Sequence, residues 1–461
     1  MIHKVLGCAG AGKTNFLLNT LDIFMEHNVR PEEIGFISYT RRAVGVAVER
    51  AVKMFPQYSR KSLVYFKTMH SLAYRVTGAS KEQMLTYDVL RTFGDRYGYE
   101  FSNSGWQRRK CVVRMSEDDK ILSAYLRGKE NNASPEEMYQ QYGGGYSFTF
   151  FADFVAKYEQ YKKVNGYIDF SDLLINAKKQ GVFPHFKVLI LDEAQDFTPI
   201  QWKLAEMLSN NSQETYIAGD DLQMIYGYQG ANVQDFLAAP ADEVILLEQS
   251  HRVPRAIQQL AYELAEKNIV HKTDKQLKPK DEEGRWQVIN SLWAVDFGKY
   301  DTYLILCRNI GPLPEVMFEL RRMGVPAIME GEANYSKSMA KVAKGISEGS
   351  ADESEFESED DWLFYNSVKN NGFLQDFEKP RVVVSTIHKA KGDEAKCVVL
   401  LTELTRASAQ EYITDPDTFH RILYVGLTRA SKELYLLEPE KFRSYKYNIL
   451  PAVKKLLRRP Q

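Results

Sequence analysis

Residues 7–14 read Gly-Cys-Ala-Gly-Ala-Gly-Lys-Thr, a complete G-x-x-x-x-G-K-[ST] phosphate-binding loop near the first residue of the chain. Its glycines let the backbone curl so that several N–H groups point into one concavity, where a polyphosphate supplies their missing partners. Lys13 is placed to reach the β and γ phosphates, and the Thr14 hydroxyl is placed to bind Mg²⁺. An apolar run precedes the loop, and leucines at helical spacing follow it in residues 15–26. The stretch predicts a nucleoside triphosphate site between a buried strand and a helix.

Short apolar runs bounded by polar or turn residues recur along the 461-residue chain. Most are continuous rather than alternating, which is typical of parallel strands buried on both faces, and helical stretches lie between many of them. We therefore predict an α/β fold with two doubly wound parallel sheets flanked by helices. The predicted strands are Ile34–Ile37, Leu63–Phe66, Val188–Leu191, Tyr216–Ala218, Val244–Leu247, Tyr303–Leu306, Val382–Val384, Cys397–Leu401 and Leu434–Leu437.

The overall charge and the cysteines limit the classes of function. The formal net charge is −1, so any affinity for nucleic acid must come from a local groove and from stacking. Cys8, Cys111, Cys307 and Cys397 are far apart without a C-x-x-C pair, which argues against zinc, an iron–sulfur cluster or a disulfide framework. No apolar run reaches membrane-spanning length, and the first strand leaves no room for a signal peptide. We expect a cytoplasmic protein of a reducing compartment, without a membrane partner.

Two stretches break the alternation of strands and helices. Residues from about 76 to 165 are rich in tyrosine and helical in pattern, which predicts an inserted helical subdomain. Residues 348–361 are strongly acidic with little to bury, which predicts a solvated or disordered loop. An acidic mimic of DNA is the alternative interpretation of that second stretch.

A second chemical motif is the stretch Phe186–Asp196, which reads FKVLILDEAQD. Its apolar strand ends in two carboxylates, as the metal half of a nucleoside triphosphatase requires. We expect Asp192 to hold Mg²⁺ through its water shell and Glu193 to polarise the water that attacks the γ-phosphate.

With these motifs the chain resembles superfamily 1 helicases of the UvrD/Rep type. Beyond the phosphate loop, nine segments follow the family order along nearly the whole chain. They are Ile37–Ala43, Thr68–Ser71, Ile168–Leu174, Leu191–Gln201, Ala218–Ala231, Leu247–Arg252, Cys307–Arg308, Ser385–Glu394 and Tyr424–Ala430.

The resemblance implies two RecA-like P-loop NTPase domains. We expect the first in residues 1–245, with the inserted helical subdomain at about 76–165. The second is expected in residues 246–461, with a short acidic insertion at about 331–378. The large second-lobe insertion of the family would then be nearly absent.

The resemblance also implies roles in ATP hydrolysis. Gln223 matches the glutamine that senses the γ-phosphate, Arg252 and Arg429 match arginines that reach the nucleotide from the second domain, and Glu394 matches a carboxylate at the ribose. The implied catalytic residues are Lys13, Glu193, Gln223, Arg252 and Arg429. The implied ATP-binding residues are Gly7, Cys8, Ala9, Gly10, Ala11, Gly12, Lys13, Thr14, Arg252, Glu394 and Arg429. The implied Mg²⁺ residues are Thr14 and Asp192, so the expected cofactors are ATP and Mg²⁺.

Other residues match positions at which the family contacts single-stranded DNA. Tyr39 and Tyr228 stand where aromatic rings stack on unpaired bases, a sequence-tolerant contact of about 1–3 kcal/mol per base. Further expected DNA contacts are Thr40, His70, Arg308, Thr386 and His388.

The chain departs from the family pattern in ways that carry expectations. His251 replaces a tyrosine that stacks on the adenine base, and the segment that reads that base does not precede the first strand, so we expect loose base selection. Gln229 stands where an arginine is common. The short segment after Arg429 leaves little room for a strand-separating hairpin, which favours translocation over efficient unwinding.

The leading hypothesis is an ATP-dependent single-stranded DNA translocase or helicase with 3′→5′ polarity. The partners expected from it are single-stranded DNA and single-strand/duplex junctions, with replication or repair proteins as candidate protein partners. The alternative is a nucleotide-gated DNA-binding or assembly factor that hydrolyses ATP without processive unwinding. A helicase–nuclease fusion is disfavoured because no carboxylate-and-lysine nuclease cluster remains unassigned.

Overall fold

The computed structural model describes residues 1–102, 116–438 and 445–446. The chain divides into two compact units, the first formed by Met1–Glu248 with His271–Lys275 and the second by Gln249–Val270 with Gln276–Gln461. Each unit contains one largely parallel sheet with helices beside its strands, which confirms the predicted α/β fold of two RecA-like domains. The short stretch His271–Lys275, called here the return segment, belongs to the first unit although its neighbours in the chain belong to the second.

The first unit is built on a six-stranded sheet with the strand order β3-β2-β4-β5-β1-β6, in which every pairing is parallel. The predicted run Leu63–Phe66 overlaps its strand only at Phe66, because Leu63 packs into the same core from the preceding loop. The strands are Ile2–Gly7 (β1), Ile34–Ser38 (β2), Phe66–Thr68 (β3), Phe186–Asp192 (β4), Ser212–Gly219 (β5) and Glu243–Leu247 (β6).

Both faces of this sheet are covered, which explains the continuous apolar runs. On β4, Val188 and Ile190 enter one apolar core while Leu189 and Leu191 enter the other. Neighbouring side chains of a strand point to opposite faces, so each apolar residue of the run is buried. The helices of this sheet domain are Lys13–Glu26, Arg41–Met54, Met69–Thr77, Phe170–Gln180, Pro199–Asn210 and Val233–Ala238.

Between β3 and β4 the chain forms a helical subdomain around an aromatic core. Phe93 lies at its centre, with ring centroids 6.0 Å from Phe154 and 5.7 Å from Tyr158, both edge-to-face. Such pairs stabilise a core beyond the area they bury, which explains the tyrosine-rich composition. Its described helices are Tyr87–Tyr97, Glu117–Asn131, Pro135–Tyr142 and Phe148–Asn165.

The second unit contains a seven-stranded sheet with the order β12-β11-β13-β10-β14-β16-β9, parallel except for the β11–β12 pair. Two two-stranded pairs, β7 with β8 and β15 with β17, complete it. The strands are Gln249–Pro254 (β7), Lys278–Lys280 (β8), Arg285–Ile289 (β9), Tyr303–Cys307 (β10), Ala327–Met329 (β11), Glu332–Ala333 (β12), Val382–Thr386 (β13), Ala395–Leu401 (β14), Glu403–Leu404 (β15), Ala430–Leu437 (β16) and Tyr445–Lys446 (β17). The helices are Arg255–Asn268, Leu313–Arg322, Lys337–Glu348, Glu359–Asn370, Arg406–Thr414 and Pro416–Leu427.

In the acidic stretch 348–361, the prediction of a solvated loop holds for residues 349–358, which are mostly exposed and contain only the short 3-10 turn Glu353–Glu355, but it is wrong for residues 359–361, which are helical. The last residues of the stretch form the first turn of the helix Glu359–Asn370, with Ser358 as the N-cap. Acidic side chains are favourable there because they face the positive end of the helix dipole. Arg321 Nη2 also donates to Asp361 at 2.7 Å, and Trp362 Nε1 donates to Glu353 at 3.1 Å, so the acidic residues are held in place.

Two further observations concern the thiols and the helices. Cys8, Cys307 and Cys397 are free and buried, whereas Cys111 lies outside the described residues. In the part of the chain that the structure describes, no helix combines the length and the apolar character that a membrane span requires.

Candidate functional site

The phosphate loop connects β1 to the helix Lys13–Glu26. Gly10 and Gly12 have φ values of 73° and 75°, a left-handed conformation that glycine adopts without steric cost. At Gly7, a Cβ atom would lie 2.6 Å from Cγ of Lys13, so only glycine fits under the lysine side chain. The loop is therefore shaped by its glycines, as a phosphate cradle requires.

Lys13 and Thr14 occupy the first turn of that helix. The Lys13 side chain is buried, and its Nζ donates to the carbonyl oxygens of Gly7 at 3.3 Å and Cys8 at 3.4 Å. These long hydrogen bonds hold the ammonium over the loop. Burial raises the pKa of the neighbouring Cys8 thiol to about 11, with help from nearby Asp220, so this cysteine is a packing residue rather than a nucleophile.

The predicted metal and water-activating carboxylates follow β4 directly. Asp192 is the last residue of the strand and is buried, and Glu193 has a left-handed φ of 54°. Such a φ is uncommon for a residue with a Cβ and turns the Glu193 side chain away from the strand direction. Gln195 Nε2 donates to Glu193 Oε2 at 2.6 Å and fixes that carboxylate.

The next strand, β5, is followed by Asp220 and then by Gln223. Gln223 Nε2 donates to Asp220 Oδ2 at 2.6 Å, and the backbone N–H of Asp220 donates to Gln195 Oε1 at 3.1 Å. Although burial alone would raise the pKa of Asp220, Lys275 and Lys13 outweigh it and hold the pKa below its ordinary value. Asp220 is therefore an ionised carboxylate inside the protein.

The sheet order explains why these segments meet. β4, β5 and β1 are adjacent and parallel, so the phosphate loop, the Asp192–Glu193 pair and the Asp220–Gln223 segment all leave the same edge. Ligands of open α/β sheets bind outside the carboxyl ends of the strands. The first unit thus brings Lys13, Thr14, Asp192, Glu193 and Gln223 to one edge of one sheet.

In the second unit the structure gathers the other three predicted nucleotide residues. Arg252 lies on β7, and its Nε donates to Glu394 Oε2 at 2.5 Å. Arg429 is buried, with Nε donating to the Val425 carbonyl at 2.9 Å and Nη1 donating to the Asp393 carbonyl at 3.3 Å. Arg252 therefore contacts Glu394 directly, and Arg429 contacts the backbone of the adjacent residue Asp393.

Four predicted DNA contacts of the first unit lie at the ends of β2 and β3 and in the segment after Gln223. Tyr39 O–H donates to Gln229 Oε1 at 2.7 Å, and Gln229 Nε2 donates to the Tyr228 hydroxyl at 2.8 Å. Tyr228 is 51% exposed, whereas Tyr39 is half-buried with its ring centroid 5.0 Å from that of Tyr226. Thr40 caps the helix Arg41–Met54 by accepting from the Ala43 N–H.

The fourth, His70, lies in the helix that follows β3, with its ring 6.1 Å from Phe170 in an edge-to-face contact. Because Ser38 on β2 is in register with Thr68 on β3, the two strand ends lie side by side. His70 is therefore near the Tyr39–Thr40 end of the sheet.

The predicted DNA contacts of the second unit also share a sheet edge. Cys307 on β10 is in register with Thr386 on β13, so Arg308 and His388 follow adjacent strand ends. Arg308 Nη1 lies 3.5 Å from His388 Nδ1, and Arg308 Nη2 forms an ion pair with Glu411. Thr386 is buried and accepts from the Lys389 N–H at 3.4 Å.

The sequence of the chain is similar to those of known proteins. The profile of the UvrD/REP helicase N-terminal domain matches residues 2–243, and that of the UvrD-like helicase C-terminal domain matches residues 381–437. The chain belongs to the UvrD/REP helicase family.

Curated relatives of this UvrD/REP family member are bacterial helicases. The ATP-dependent DNA helicase PcrA of Bacillus subtilis is 26% identical over 293 residues, which are 60% of this chain and 39% of the relative. PcrA of Staphylococcus aureus is 25% identical over 309 residues, 61% of this chain and 39% of the relative. The putative ATP-dependent DNA helicase YjcD of Bacillus subtilis is 24% identical over 294 residues, 57% of this chain and 36% of the relative. The chain thus spans about two fifths of the length of the curated relatives it matches.

Sequence reasoning missed several residues that shape these UvrD/REP sites. Gln195 connects Glu193 to Asp220, and its place inside the DEAQD motif was a signal that could have found it. Lys275 binds Asp220 and Asp221, and Glu411 binds Arg308. Both Lys275 and Glu411 stand in ordinary charged stretches of the sequence. Nothing in their spacing marked them, because their partners are distant in the chain.

Proposed function

We propose that this chain is an ATP-dependent motor that translocates on single-stranded DNA in the 3′→5′ direction. The observation that carries the proposal is the shared sheet edge of the first unit. The phosphate loop, Glu193 and Gln223 follow three adjacent strands, and three residues matching DNA contacts, Tyr39, Thr40 and His70, follow the next two strands of the same sheet. The names of the relatives, which are ATP-dependent DNA helicases, support the same function.

The residues of the first unit fit a magnesium nucleotide. The close fit of Gly7 against the Lys13 side chain and the left-handed Gly10 and Gly12 shape the loop as a phosphate cradle, and Thr14 and the buried Asp192 supply oxygen donors of the kind Mg²⁺ prefers. When bound, Mg²⁺ would neutralise charge on the β and γ phosphates. Lys13 would exchange its long hydrogen bonds to backbone carbonyls for the stronger contact with phosphate.

Hydrolysis would then use the chain's own polar groups. Glu193, oriented by Gln195, would accept the proton of the attacking water, and Gln223 would sense the γ-phosphate. Arg252 and Arg429 of the second unit would approach the triphosphate when the two RecA-like domains close, so that their guanidinium groups offset the developing charge. Domain closure would thereby be coupled to hydrolysis, which is the basis for movement along the strand.

The strand itself would be held by stacking and by backbone contacts. Tyr228 presents an exposed ring, and Arg308 with His388 presents a polar pair in the second unit. Because stacking accepts every base, this arrangement suits a motor that moves on any sequence. His251, beside Arg252 and exposed on β7, replaces a stacking tyrosine, so ATP, GTP and CTP should be hydrolysed at similar rates.

An ATPase assay with and without single-stranded DNA tests the proposal. A motor is stimulated well above tenfold by the strand, whereas a nucleotide-gated binding factor is not. Glu193→Gln should retain ATP and DNA binding while hydrolysis stops, and continued hydrolysis would reassign the proton acceptor. Matched 3′-tailed and 5′-tailed duplexes then test direction, since only the 3′-tailed duplex should be opened or cleared of a bound protein.

A further inference from the structure

The return segment brings one buried lysine into the first unit. Lys275 is 4% exposed in its side chain, and its Nζ donates to Asp220 Oδ1 and to Asp221 Oδ1, each at 2.7 Å. The N–H of Thr273 donates to Asp221 Oδ2 at 2.8 Å, so the segment is attached at two points. Both carboxylates are fully buried, and one ammonium serves them together.

The carboxylate of Asp220 touches the predicted phosphate sensor. Asp220 accepts from Lys275 on Oδ1 and from Gln223 Nε2 on Oδ2, the latter at 2.6 Å. A carboxylate can only accept, so it must face the donor end of the Gln223 amide. The contact uses one of the two Nε2 hydrogens, so that on nucleotide binding the second N–H can donate to a γ-phosphate oxygen and Oε1 can accept from the attacking water.

The orientation of Gln223 depends on Asp220 being charged. A buried carboxylate without a cation would take up a proton, and its O–H could then turn the Gln223 amide by donating to it. Lys275 prevents this, since Asp220 and Asp221 hold the pKa of Lys275 above its ordinary value although burial alone would lower it. The lysine thus keeps its charge inside the protein and keeps Asp220 an acceptor.

We propose that Lys275 is a positioning residue for ATP hydrolysis: through Asp220 it fixes the amide of Gln223 in the orientation that meets the γ-phosphate. The inference rests on the proposed function, because it assigns Lys275 a role through Gln223. It also explains why the return segment belongs to the first unit: the segment places the Lys275 ammonium at the edge of the first sheet where the phosphate loop lies.

A matched pair of variants separates positioning from simple stability. Asp220→Asn and Asp221→Asn each remove one buried charge beside Lys275, and the first also removes the carboxylate that accepts from Gln223 Nε2. Asp220→Asn should lower kcat of the DNA-stimulated ATPase by about tenfold or more with KM for ATP within about twofold. Asp221→Asn should change kcat by less than about threefold, although it should lower the melting temperature about as much as Asp220→Asn does. An equal loss of kcat in both variants would overturn the inference.

A second experiment measures whether Lys275 acts through Gln223. The experiment compares kcat for Lys275→Met, Gln223→Ala and the double variant. The double variant should be no slower than Gln223→Ala, within about twofold. Losses that multiply would mean an independent structural role and would overturn the inference. If Lys275→Met fails to fold, the comparison of Asp220→Asn with Asp221→Asn still tests the inference.

The outcomes also distinguish this inference from the proposed function. If the wild-type chain lacks DNA-stimulated hydrolysis, the proposed function fails and the inference with it. If hydrolysis is stimulated by DNA but Gln223→Ala leaves kcat unchanged, or Lys275→Met multiplies the loss, only the inference fails.

Discussion

Asp169 offers a direct test of how the inserted helices are attached to the first sheet domain. Its carboxylate is 1% exposed and accepts from Lys162 Nζ at 2.6 Å and from Lys129 Nζ at 3.2 Å. The two lysines lie on helices of the insertion, whereas Asp169 caps the helix Phe170–Gln180 of the sheet domain. The family segment Ile168–Leu174 thus joins the insertion to the sheet domain through a buried ionic network.

The lowered pKa of Asp169 gives the size of the contribution that this network makes to folding stability. Burial alone would raise this pKa, but Lys129 and Lys162 outweigh burial and lower the pKa from 3.8 to about 2. That difference corresponds to about 2 kcal/mol of folding stability. Because the folded-state pKa lies below the unfolded one, the stabilisation is complete above about pH 4 and is lost as the pH falls toward 2.

Asp169→Asn removes the charge but keeps an oxygen that can accept from the Asp172 N–H as the helix cap. We expect the free energy of unfolding at pH 7 to fall by about 2–4 kcal/mol, measured by urea denaturation with circular dichroism. The variant should also lose less stability than the wild type between pH 4 and pH 2. The matched control is Asp153→Asn, whose partner Lys157 is in an exposed pair and whose cost should stay below about 0.5 kcal/mol. Equal costs for Asp169→Asn and Asp153→Asn, or an unchanged acid response, would refute the reasoning.

Three further predictions concern the sites themselves. Gly7→Ala should abolish ATP binding in a fluorescent-nucleotide titration, because its Cβ would lie 2.6 Å from Cγ of Lys13. Binding at wild-type affinity would contradict the role of Gly7 in shaping the phosphate loop. Tyr228→Ala should weaken single-stranded DNA binding by about 1–3 kcal/mol in an anisotropy titration, equally for all sequences, and a loss confined to one base would argue against stacking. Glu411→Gln should tighten the same binding by about threefold to tenfold at low salt, because the ion pair with Arg308 competes with a phosphate; weaker binding would instead assign Glu411 to holding Arg308 in place.

The local structure around the candidate nucleotide residues of the first unit was predictable, because it depends on a few consecutive residues. Gly7, Gly12, Lys13 and Thr14 lie within one loop whose conformation follows from its own glycines. Asp192 and Glu193 follow an apolar run that could only be a buried strand. In each case a few consecutive residues determine both the backbone and the functional group, so the sequence alone suffices.

The partners of these residues were not predictable in the same way. Lys275 binds Asp220 across 55 positions of the chain, and Glu411 binds Arg308 across 103. Such pairs depend on how distant segments pack, and an isolated lysine or glutamate in a charged stretch is ordinarily a solvated side chain. Tyr39 illustrates the same limit, since the family resemblance implied a stacking ring but could not predict the hydrogen bond to Gln229.

In the first sheet, the ends of two strands lie between the candidate nucleotide site and the candidate DNA contacts. In the order β3-β2-β4-β5-β1, the residues matching DNA contacts follow β3 and β2, and the phosphate loop follows β1. The ends of β4 and β5 lie between them, and there Gln195 connects Glu193 with the backbone of Asp220.

The segment that begins at Gln223 continues toward the DNA side of this sheet. Six residues after Gln223, the side chain of Gln229 accepts from Tyr39 and donates to Tyr228. A change in the Gln223 amide on nucleotide binding would therefore reach both tyrosines through one short, hydrogen-bonded stretch of chain. Spatial continuity alone does not establish coupling, which requires two arrangements that both ligands bias. The Tyr39–Gln229–Tyr228 contacts are a suitable element, because a strand that shifts the Tyr228 ring would also shift the hydroxyl that accepts from the Gln229 amide.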